Sequence, residues 1–134
     1  MDCIFCKIIN GDIPSYKVYE DEKTLAFLDI SQTTFGHTLV VPKKHFKNIY
    51  ELDEETSAHL FKVTTLLANK LKNNLDIIGL NIVNNNDEPL QSVKHFHIHL
   101  IPRYKDDSFD IVYPNNFGKY TQEELIELVN KLNK

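Results

Sequence analysis

Residues 94–102, Lys-His-Phe-His-Ile-His-Leu-Ile-Pro, alternate histidine with apolar side chains. A period of two is typical of a half-buried β-strand, in which successive side chains point to opposite faces. We therefore expect His95, His97 and His99 on one face of a strand and their apolar neighbours in the core on the other. Proline has no N–H for a sheet ladder, so we expect Pro102 and Arg103 to end this strand.

The three histidines are half of the six in the chain, and they fall within five residues. One histidine on a strand is more often structural than catalytic, but three on one face favour a metal site or a catalytic site. Alternate strand residues rise by about 6.6 Å, which separates His95 from His99 by about 13 Å at Cα. Because zinc–nitrogen bonds are about 2.0–2.1 Å long, neighbouring histidines hold one ion more easily than both ends do. We therefore expect the row to divide its tasks.

Length and charge exclude several classes of protein. The chain of 134 residues, 42% of them hydrophobic, suits one domain with its own core. The net charge of −4 and the scattered lysines and arginines argue against a nucleic-acid groove or an anionic membrane surface. No apolar run approaches the roughly 18 residues of a membrane span. Since no basic segment with a long apolar stretch opens the sequence, we expect a cytoplasmic protein without a secretory signal.

Two cysteines stand close together at positions 3 and 6. A disulfide is exceptional in the cytoplasm, and a thioredoxin-type pair would follow a strand that the first residues cannot supply. The remaining alternatives are a pair of unreactive thiols and a metal site. We favour the metal site. A zinc site needs two further ligands, and His45, a surface histidine on its own evidence, is a candidate for the third.

The turn residues and apolar periodicities predict an α+β domain. A helical turn is expected to close at Ile8 and Ile9, and a long helix to begin after Asp53 and end at Asn73-Asn74. Thr121 to Glu124 form a capping box that opens a C-terminal helix. Five strands are predicted, at residues 16–19, 24–28, 37–42, 77–83 and 94–102.

The long helix has an unusually wide apolar face. One stripe comprises Leu60, Val63, Leu67 and Leu71, and a second flank adds Phe61, Ala68 and Leu75. A face this wide can pack on both the sheet and another subunit. The C-terminal helix has a narrower stripe, which we interpret as structural, at Leu125, Leu128, Val129 and Leu132.

Polar residues beside the strands are further candidates. Asp29 follows a strand directly, where a carboxylate can cap a turn or bind a ligand. A hairpin into the histidine strand would bring Asn84 near the imidazoles. Gln91 and Ser92 offer an amide and a hydroxyl that could hold phosphate oxygens, or could be ordinary solvated loop residues.

The histidine row resembles the histidine-triad (HIT) superfamily of nucleotide hydrolases and transferases, in the Hint-like branch with an N-terminal CxxC zinc motif. The resemblance extends from Cys3 to about Arg103. Four segments carry it in order, at residues 3–9, 26–31, 36–45 and 91–99. It implies a single HIT domain over residues 1–134, with a core at about 3–103 and an extension with a helix at 104–134.

The resemblance implies a reaction on the α-phosphate of an AMP-like purine nucleotide. His97 would be the nucleophile and form a covalent nucleotidyl-histidine, with its other ring nitrogen held by the carbonyl of His95. His99 and His37 would contact phosphate oxygens and the leaving group. The implied activity is that of a nucleotide phosphoramidase or nucleotidyl hydrolase.

The resemblance also implies the ligands. A structural zinc would be bound by Cys3, Cys6, His45 and His95. Asp29 would bind the ribose hydroxyls. Apolar walls around the base would come from Ile4 or Ile8 with Phe27 and Ile30, and phosphate contacts from Asn84, Gln91 and Ser92.

The family further implies an antiparallel sheet of about five strands with the long helix packed on it, usually as a homodimer. The apolar face of residues 56–75 is then the expected subunit contact. The chain departs from the pattern in the loop before Gln91, where Asn86, Pro89 and Leu90 replace expected glycines. Glycine would let backbone N–H groups approach the phosphate closely, so these replacements bear on the identity of the leaving group rather than on the chemistry.

Three other functions are compatible with the same residues. A dinucleoside polyphosphate hydrolase would use the same nucleophile on a longer leaving group. A zinc-bearing nucleotide-binding module would need no nucleophile at position 97. A catalytic zinc hydrolase using His95 and His97 would leave the two cysteines without a role.

Overall fold

The computed structural model describes residues 2–134. Besides a short 3-10 turn at Ile49–Glu51, the elements are α1 (Ile4–Ile9), β1 (Lys17–Glu20), β2 (Thr24–Leu28), β3 (Thr38–Pro42), α2 (Glu54–Asn74), β4 (Gly79–Val83), β5 (Ile98–Arg103) and α3 (Gln122–Leu132). None of the helices within residues 2–134 is long and apolar enough to cross a bilayer.

The five strands form one antiparallel sheet in the order β1-β2-β3-β5-β4. This confirms the predicted α+β class and strand number. β5 lies between β3 and β4, so His99 is paired with Leu39 on one side and with Val83 on the other. The last histidine of the row, His99, is therefore held between two neighbouring strands of the sheet.

The first part of the histidine row lies outside the sheet ladder. β5 begins at Ile98, whereas a strand over residues 94–102 was expected. His95 and Phe96 are held instead by the preceding chain, because the Phe96 N–H donates to the Phe46 carbonyl at 2.7 Å and the His95 Nε2 lies 2.8 Å from the Pro42 carbonyl. Residues 92–95 form bends, so the strand begins later than the pattern predicted.

The strand ends at Arg103, within the end expected at Pro102 and Arg103, but Pro102 does not interrupt it. Pro102 lies within β5 and is paired with Leu80 of β4. Neighbouring residues of a strand direct their backbone groups to opposite sides, and the Arg103 carbonyl faces β4 by accepting from Ile78 N–H. Pro102 therefore faces away from β4, beyond the start of β3, where its carbonyl accepts from the Thr34 hydroxyl at 2.5 Å. No ladder bond is lost at this position.

The sheet separates two apolar layers. The alternation predicted for the histidine row is confirmed, since its apolar residues all pack into one layer against α2. That cluster includes Phe96, Ile98, Leu100, Ala26, Val40, Leu60, Val63 and Leu67. The residues that alternate with them on β2 and β3 pack against α1 on the other face, in a cluster of Cys3, Phe5, Ile8, Leu25, Phe27, Leu39 and Val41.

The long helix has the predicted boundaries. The Asp53 side chain caps it by accepting from Thr56 N–H at 2.7 Å, and the helix ends at Asn74. Leu60 is buried on the core side, whereas Phe61 on the second flank is 58% exposed. On the flank expected to meet another subunit, Phe61 is thus uncovered by this chain, whereas Ala68 and Leu75 are half-buried.

The C-terminal helix forms with its predicted capping box, in which Thr121 and Glu124 satisfy each other's backbone N–H groups. All residues of α3 are exposed. Its apolar stripe of Leu125, Leu128, Val129 and Leu132 is 48–74% exposed. Capping and periodicity are local signals that form a helix, but they supply no surface for it to pack on.

Candidate active site and metal centre

A cavity of about 280 Å³ opens on the α1 face of the sheet. It has an apolar side from α1 and β2 and a polar side from the histidine row. Eight of the predicted site residues line it, namely Ile4, Ile8, Phe27, Asp29, Ile30, Ser92, His97 and His99. A flat apolar group and a charged group can be accommodated side by side there.

The His97 ring has a defined tautomer. Its Nδ1 lies 2.8 Å from the His95 carbonyl, and because a carbonyl only accepts, Nδ1 carries the proton. Burial lowers the pKa of His97, so the ring is neutral near pH 7 and Nε2 keeps its lone pair. The edge of the Phe5 ring packs on this imidazole with centroids 5.0 Å apart. The ring is therefore fixed with an available nucleophilic nitrogen.

His37 and His99 form a hydrogen-bonded chain. The Thr33 N–H donates to His37 Nδ1 at 3.3 Å, so the proton of a neutral His37 ring lies on Nε2. His37 Nε2 is 2.9 Å from His99 Nδ1 and donates to it. The remaining proton of His99 is then on Nε2. The two rings of this hydrogen-bonded pair, His37 and His99, therefore each have one possible neutral tautomer.

Burial keeps both of these rings neutral. It lowers the pKa of His37, an effect that the nearby Asp29 carboxylate opposes only in part. Burial, with His97 and His37 close by, lowers the pKa of His99 to about 4. His37 is 3% exposed and does not line the cavity, so it reaches the site only through His99.

Asp29 presents one carboxylate oxygen to the site. Its Oδ1 accepts from the Ser31 N–H at 2.8 Å and from the Ser31 hydroxyl at 2.5 Å. Burial alone would raise the pKa of Asp29, but these two hydrogen bonds outweigh it and hold the pKa below its ordinary value. Oδ2 lies 3.9 Å from His37 Nε2. A charged acceptor thus stands at the rim of the cavity.

The predicted phosphate contacts differ in how they are placed. Ser92 is exposed and lines the cavity. Asn84 lies beside the row as expected, but its amide donates to the His97 carbonyl at 2.9 Å. The amide of Gln91 is buried and donates to the Lys47 and Val93 carbonyls. Only Ser92 of the three has its polar group directed to the open side of the loop.

The loop that lacks the expected glycines is fastened by side chains. Asn86 accepts from the Ile49 N–H at 2.7 Å, and Asp87 has a positive φ of 66°. Pro89 follows a cis peptide bond, and Leu90 is 68% exposed. The loop therefore has a compact form without glycine.

Four metal-ligand side chains converge beside the histidine row. Cys3 Sγ lies 3.3 Å from His95 Nδ1, Cys6 Sγ lies 3.4 Å from His45 Nδ1, and the two Nδ1 atoms are 3.1 Å apart. Bonds of 2.0–2.3 Å to a tetrahedral zinc would separate such atoms by about 3.3–3.6 Å. The observed distances between these atoms are close to the ligand-to-ligand distances around a bound zinc ion, so the four side chains fit zinc.

The second nitrogen of His95 supports the same interpretation. His95 Nε2 donates to the Pro42 carbonyl at 2.8 Å, which leaves the Nδ1 lone pair directed at the cysteines. Metal-ligating histidines commonly donate their other N–H to a carbonyl in this way. Burial, reinforced by Cys3, raises the pKa of the Cys6 thiol to about 11, so binding of a metal would release its proton.

A second group of donors does not suit a metal. One potential ligand atom each of Asp29, His37 and His99 lies within 4.8 Å of the others. A metal on His37 Nε2 would require the proton on Nδ1, where the Thr33 N–H already donates. This group is therefore a hydrogen-bonded chain rather than a metal centre.

The comparison with known families agrees with this geometry. The model of the HIT domain matches residues 10–106, which is most of the chain. The chain belongs to the HIT family. A HIT family member from Bacillus subtilis with a known crystal structure is 48% identical, with a TM-score of 0.96 over 99% of this chain and 96% of that one.

Two other HIT relatives have informative names. The adenosine 5'-monophosphoramidase of Schizosaccharomyces pombe is 40% identical over 108 residues, which cover 80% of this chain and 78% of that protein. A zinc-bound histidine triad family protein from Mycobacterium smegmatis is 34% identical, with a TM-score of 0.77 over 98% of each chain.

Sequence reasoning missed two contributors to this HIT site. Phe5 packs edge-on against both His95 and His97. Thr33 acts through its backbone N–H. The first gave no signal beyond its apolar character inside the cysteine motif, and the second gave none because a backbone group is the same in every residue but proline.

Proposed function

We propose that this chain is a nucleotide phosphoramidase or related nucleotidyl hydrolase that attacks the α-phosphate of purine nucleotide substrates with His97. The observation that carries the proposal is the bond from His97 Nδ1–H to the His95 carbonyl, beside a cavity of about 280 Å³. A neutral imidazole with a fixed proton and a free lone pair is a competent nucleophile near pH 7. The name of the relative from Schizosaccharomyces pombe supports the same reaction class.

In the first step, a bond forms between His97 Nε2 and the α-phosphorus while the bond from phosphorus to the leaving group breaks. The leaving group departs with a proton taken from water, while the Nε2–H of the neutral His99, whose position follows from the hydrogen bond to His37, donates a hydrogen bond to it. Water then attacks the phosphorus, breaks its bond to His97 and releases a proton to the solvent. The nucleoside monophosphate is released and both rings return to their starting states.

The cavity has side chains suited to bind each part of an AMP-like group. The free Oδ2 of Asp29 is suited to ribose hydroxyls, and Ser92 to a phosphate oxygen. Asn84 and Gln91 affect the phosphate through the loop they fasten. The base would lie between the apolar walls at Ile4, Ile8, Phe27 and Ile30.

Zinc has a structural role in this proposal. A zinc ion here would have four protein ligands, Cys3, Cys6, His45 and His95, in a tetrahedral arrangement with no open coordination position. It would therefore hold these segments together and would not activate a catalytic water. The name of the relative from Mycobacterium smegmatis supports zinc as the ion.

The test compares turnover of an adenosine phosphoramidate with turnover of a diadenosine polyphosphate. We expect the phosphoramidate to be the better substrate and His97→Ala to abolish its turnover while AMP still binds by calorimetry. His59→Ala, which removes a histidine paired with Asp21 away from the cavity, is the matched control and keeps wild-type rates.

Two results would refute the proposal. Turnover of the His97→Ala variant at the wild-type rate would exclude the nucleophile. AMP binding by the wild-type protein with hydrolysis of neither substrate would favour a nucleotide-binding module instead.

A further inference from the structure

The segment from Asp29 to His37 is a closed loop that carries two of the polar groups of the site. The Asp29 N–H donates to the His37 carbonyl at 2.9 Å and joins the two ends. Between them, the Thr33 N–H fixes the tautomer of the His37 ring. The shape of this loop therefore determines where the Asp29 carboxylate lies and which ring nitrogens of His37 and His99 carry protons.

One side chain ties this loop together from within. The Gln32 amide nitrogen donates to the Asp29 carbonyl at 2.7 Å and to the His37 carbonyl at 2.8 Å. Its amide oxygen accepts from the Gly36 N–H at 2.8 Å. A single side chain thus satisfies three backbone groups, two of which belong to the site residues themselves.

The backbone of Gln32 is in an uncommon conformation for its residue type. Its φ is +45°, in the left-handed region that glycine enters freely and that side chains with a Cβ enter at a cost. Such conformations persist where surrounding contacts determine them, and they are frequent at functional sites. The three hydrogen bonds of the amide give a reason for a glutamine here where glycine would be less strained.

We propose that Gln32 is a positioning residue that orients Asp29 and the His37–His99 pair for nucleotidyl transfer. This inference rests on the proposed function. Gln32 does not line the cavity with His97, and its side-chain hydrogen bonds go to backbone groups rather than to either imidazole. It acts through the backbone of Asp29 and His37, and through the place that this loop gives to the Thr33 N–H.

Gln32→Glu is the sharpest variant because it preserves the shape of the side chain. A carboxylate still accepts from the Gly36 N–H, but it cannot donate to the Asp29 and His37 carbonyls and it places negative charge beside them. Displacement of reacting groups by about 1 Å can cost on the order of a hundredfold in rate, so we expect kcat for an adenosine phosphoramidate to fall at least about tenfold.

Two further variants separate positioning from stability. Thr34→Val removes a buried hydrogen bond from the same loop to the Pro102 carbonyl, and it should keep kcat within about twofold, since no bond to Asp29 or His37 is lost. Gln32→Gly relieves the backbone at a positive φ but removes the amide. We expect its thermal midpoint to stay close to that of Thr34→Val while its kcat falls as in Gln32→Glu.

The ring tautomers provide a readout that does not depend on turnover. Nitrogen-15 spectra of the histidine rings should show protonated Nε2 on both His37 and His99 in the wild type and in Thr34→Val. In Gln32→Glu we expect a mixture of tautomers at His37. Unchanged tautomers together with kcat within about twofold of wild type in Gln32→Glu and Gln32→Gly would overturn the proposal.

Failure of the proposed function gives a different pattern. In that case the wild type and Thr34→Val would both lack turnover of the phosphoramidate. The His37 tautomer would still decide whether Gln32 positions the loop.

Discussion

The partner of one ring nitrogen determines what the other nitrogen of each buried histidine can do. His95 donates to the Pro42 carbonyl and is left with a lone pair toward the cysteines. His97 donates to the His95 carbonyl and is left with one toward the cavity. His37 accepts from the Thr33 N–H and therefore becomes a donor to His99. Similar imidazoles are in this way suited to different tasks, His95 to binding a metal, His97 to nucleophilic attack and the His37–His99 pair to donating a hydrogen bond.

At this scale we predict the pH dependence of turnover. Burial lowers the pKa of His97 from its ordinary value of 6.5, and protonation would remove the lone pair that attacks phosphorus. The sign is therefore a loss of kcat/KM as the pH falls through a midpoint below 6.5, with a flat profile from there to pH 8. A profile of kcat/KM for an adenosine phosphoramidate checks this, and an acid midpoint above 7 would contradict it.

At the scale of elements, the larger of the two apolar clusters forms the contact between α2 and the sheet. Leu60 is 1% exposed and packs with residues of β2, β3 and β5. The helix ends depend on their own capping groups, but the helix face depends on this burial. Its stability should therefore respond to the buried stripe far more than to the solvent side.

Leu60→Ala should lower the free energy of unfolding by about 2–5 kcal/mol, because it removes buried methyl groups and leaves a cavity. Lys62→Ala, on the exposed side of the same helix, should change it by less than about 0.5 kcal/mol. Urea unfolding at one protomer concentration measures both. Equal midpoints for the two variants would mean that α2 does not depend on this packing.

At the scale of the whole molecule, the cluster of Cys3, Cys6, His45 and His95 that could hold a metal connects distant parts of the chain. Cys3 and His95 are 92 residues apart in sequence and meet at 3.3 Å. An ion there would fasten α1 to the start of the histidine row, and so hold the apolar and polar walls of the cavity together.

We expect about one zinc per chain by metal analysis. Cys6→Ser should lose the metal and lower the thermal unfolding midpoint, since an ion that binds only the folded state stabilises that state. His59→Ala should retain both. Well under one zinc per chain in a fully active preparation would exclude the structural ion.

The uncovered apolar surface predicts assembly of two chains. β4 is one of the two edge strands of the sheet, and the exposed Phe61 of α2 lies beside Ile82 of that strand, which is 48% exposed. An apolar edge strand is usually covered or paired. A symmetric contact between two copies would cover both elements at once.

Sedimentation should therefore show a dimer, and Phe61→Glu should shift it to the monomer by burying a charge at the contact. Lys62→Glu places the same side chain about 100° further round α2, on the side that faces away from the core, and should leave the dimer intact. A wild-type monomer at micromolar concentration would contradict this assembly.

The sequence by itself determined the features that depend on neighbours along the chain. The alternation at residues 94–102 predicted which side chains face the core, Asp53 and Thr121 predicted where helices begin, and the spacing of the cysteines indicated a metal. The resemblance of its motifs indicated the family, which the match over residues 10–106 shows. These signals are local or are carried by residue identity, so they can be read without coordinates.

Only the tertiary structure decided the features that depend on contacts between distant residues. Pro102 can lie within β5 because the neighbouring strand β3 begins opposite Leu100, two residues earlier, so no ladder bond to β3 is needed at the proline. The Gln91 amide is occupied because it donates to the Lys47 carbonyl. The tautomers of His37 and His97 follow from backbone groups whose place no side-chain pattern encodes. The physical reason is that hydrogen bonding is directional, so the state of each group is fixed only when its partners are in place.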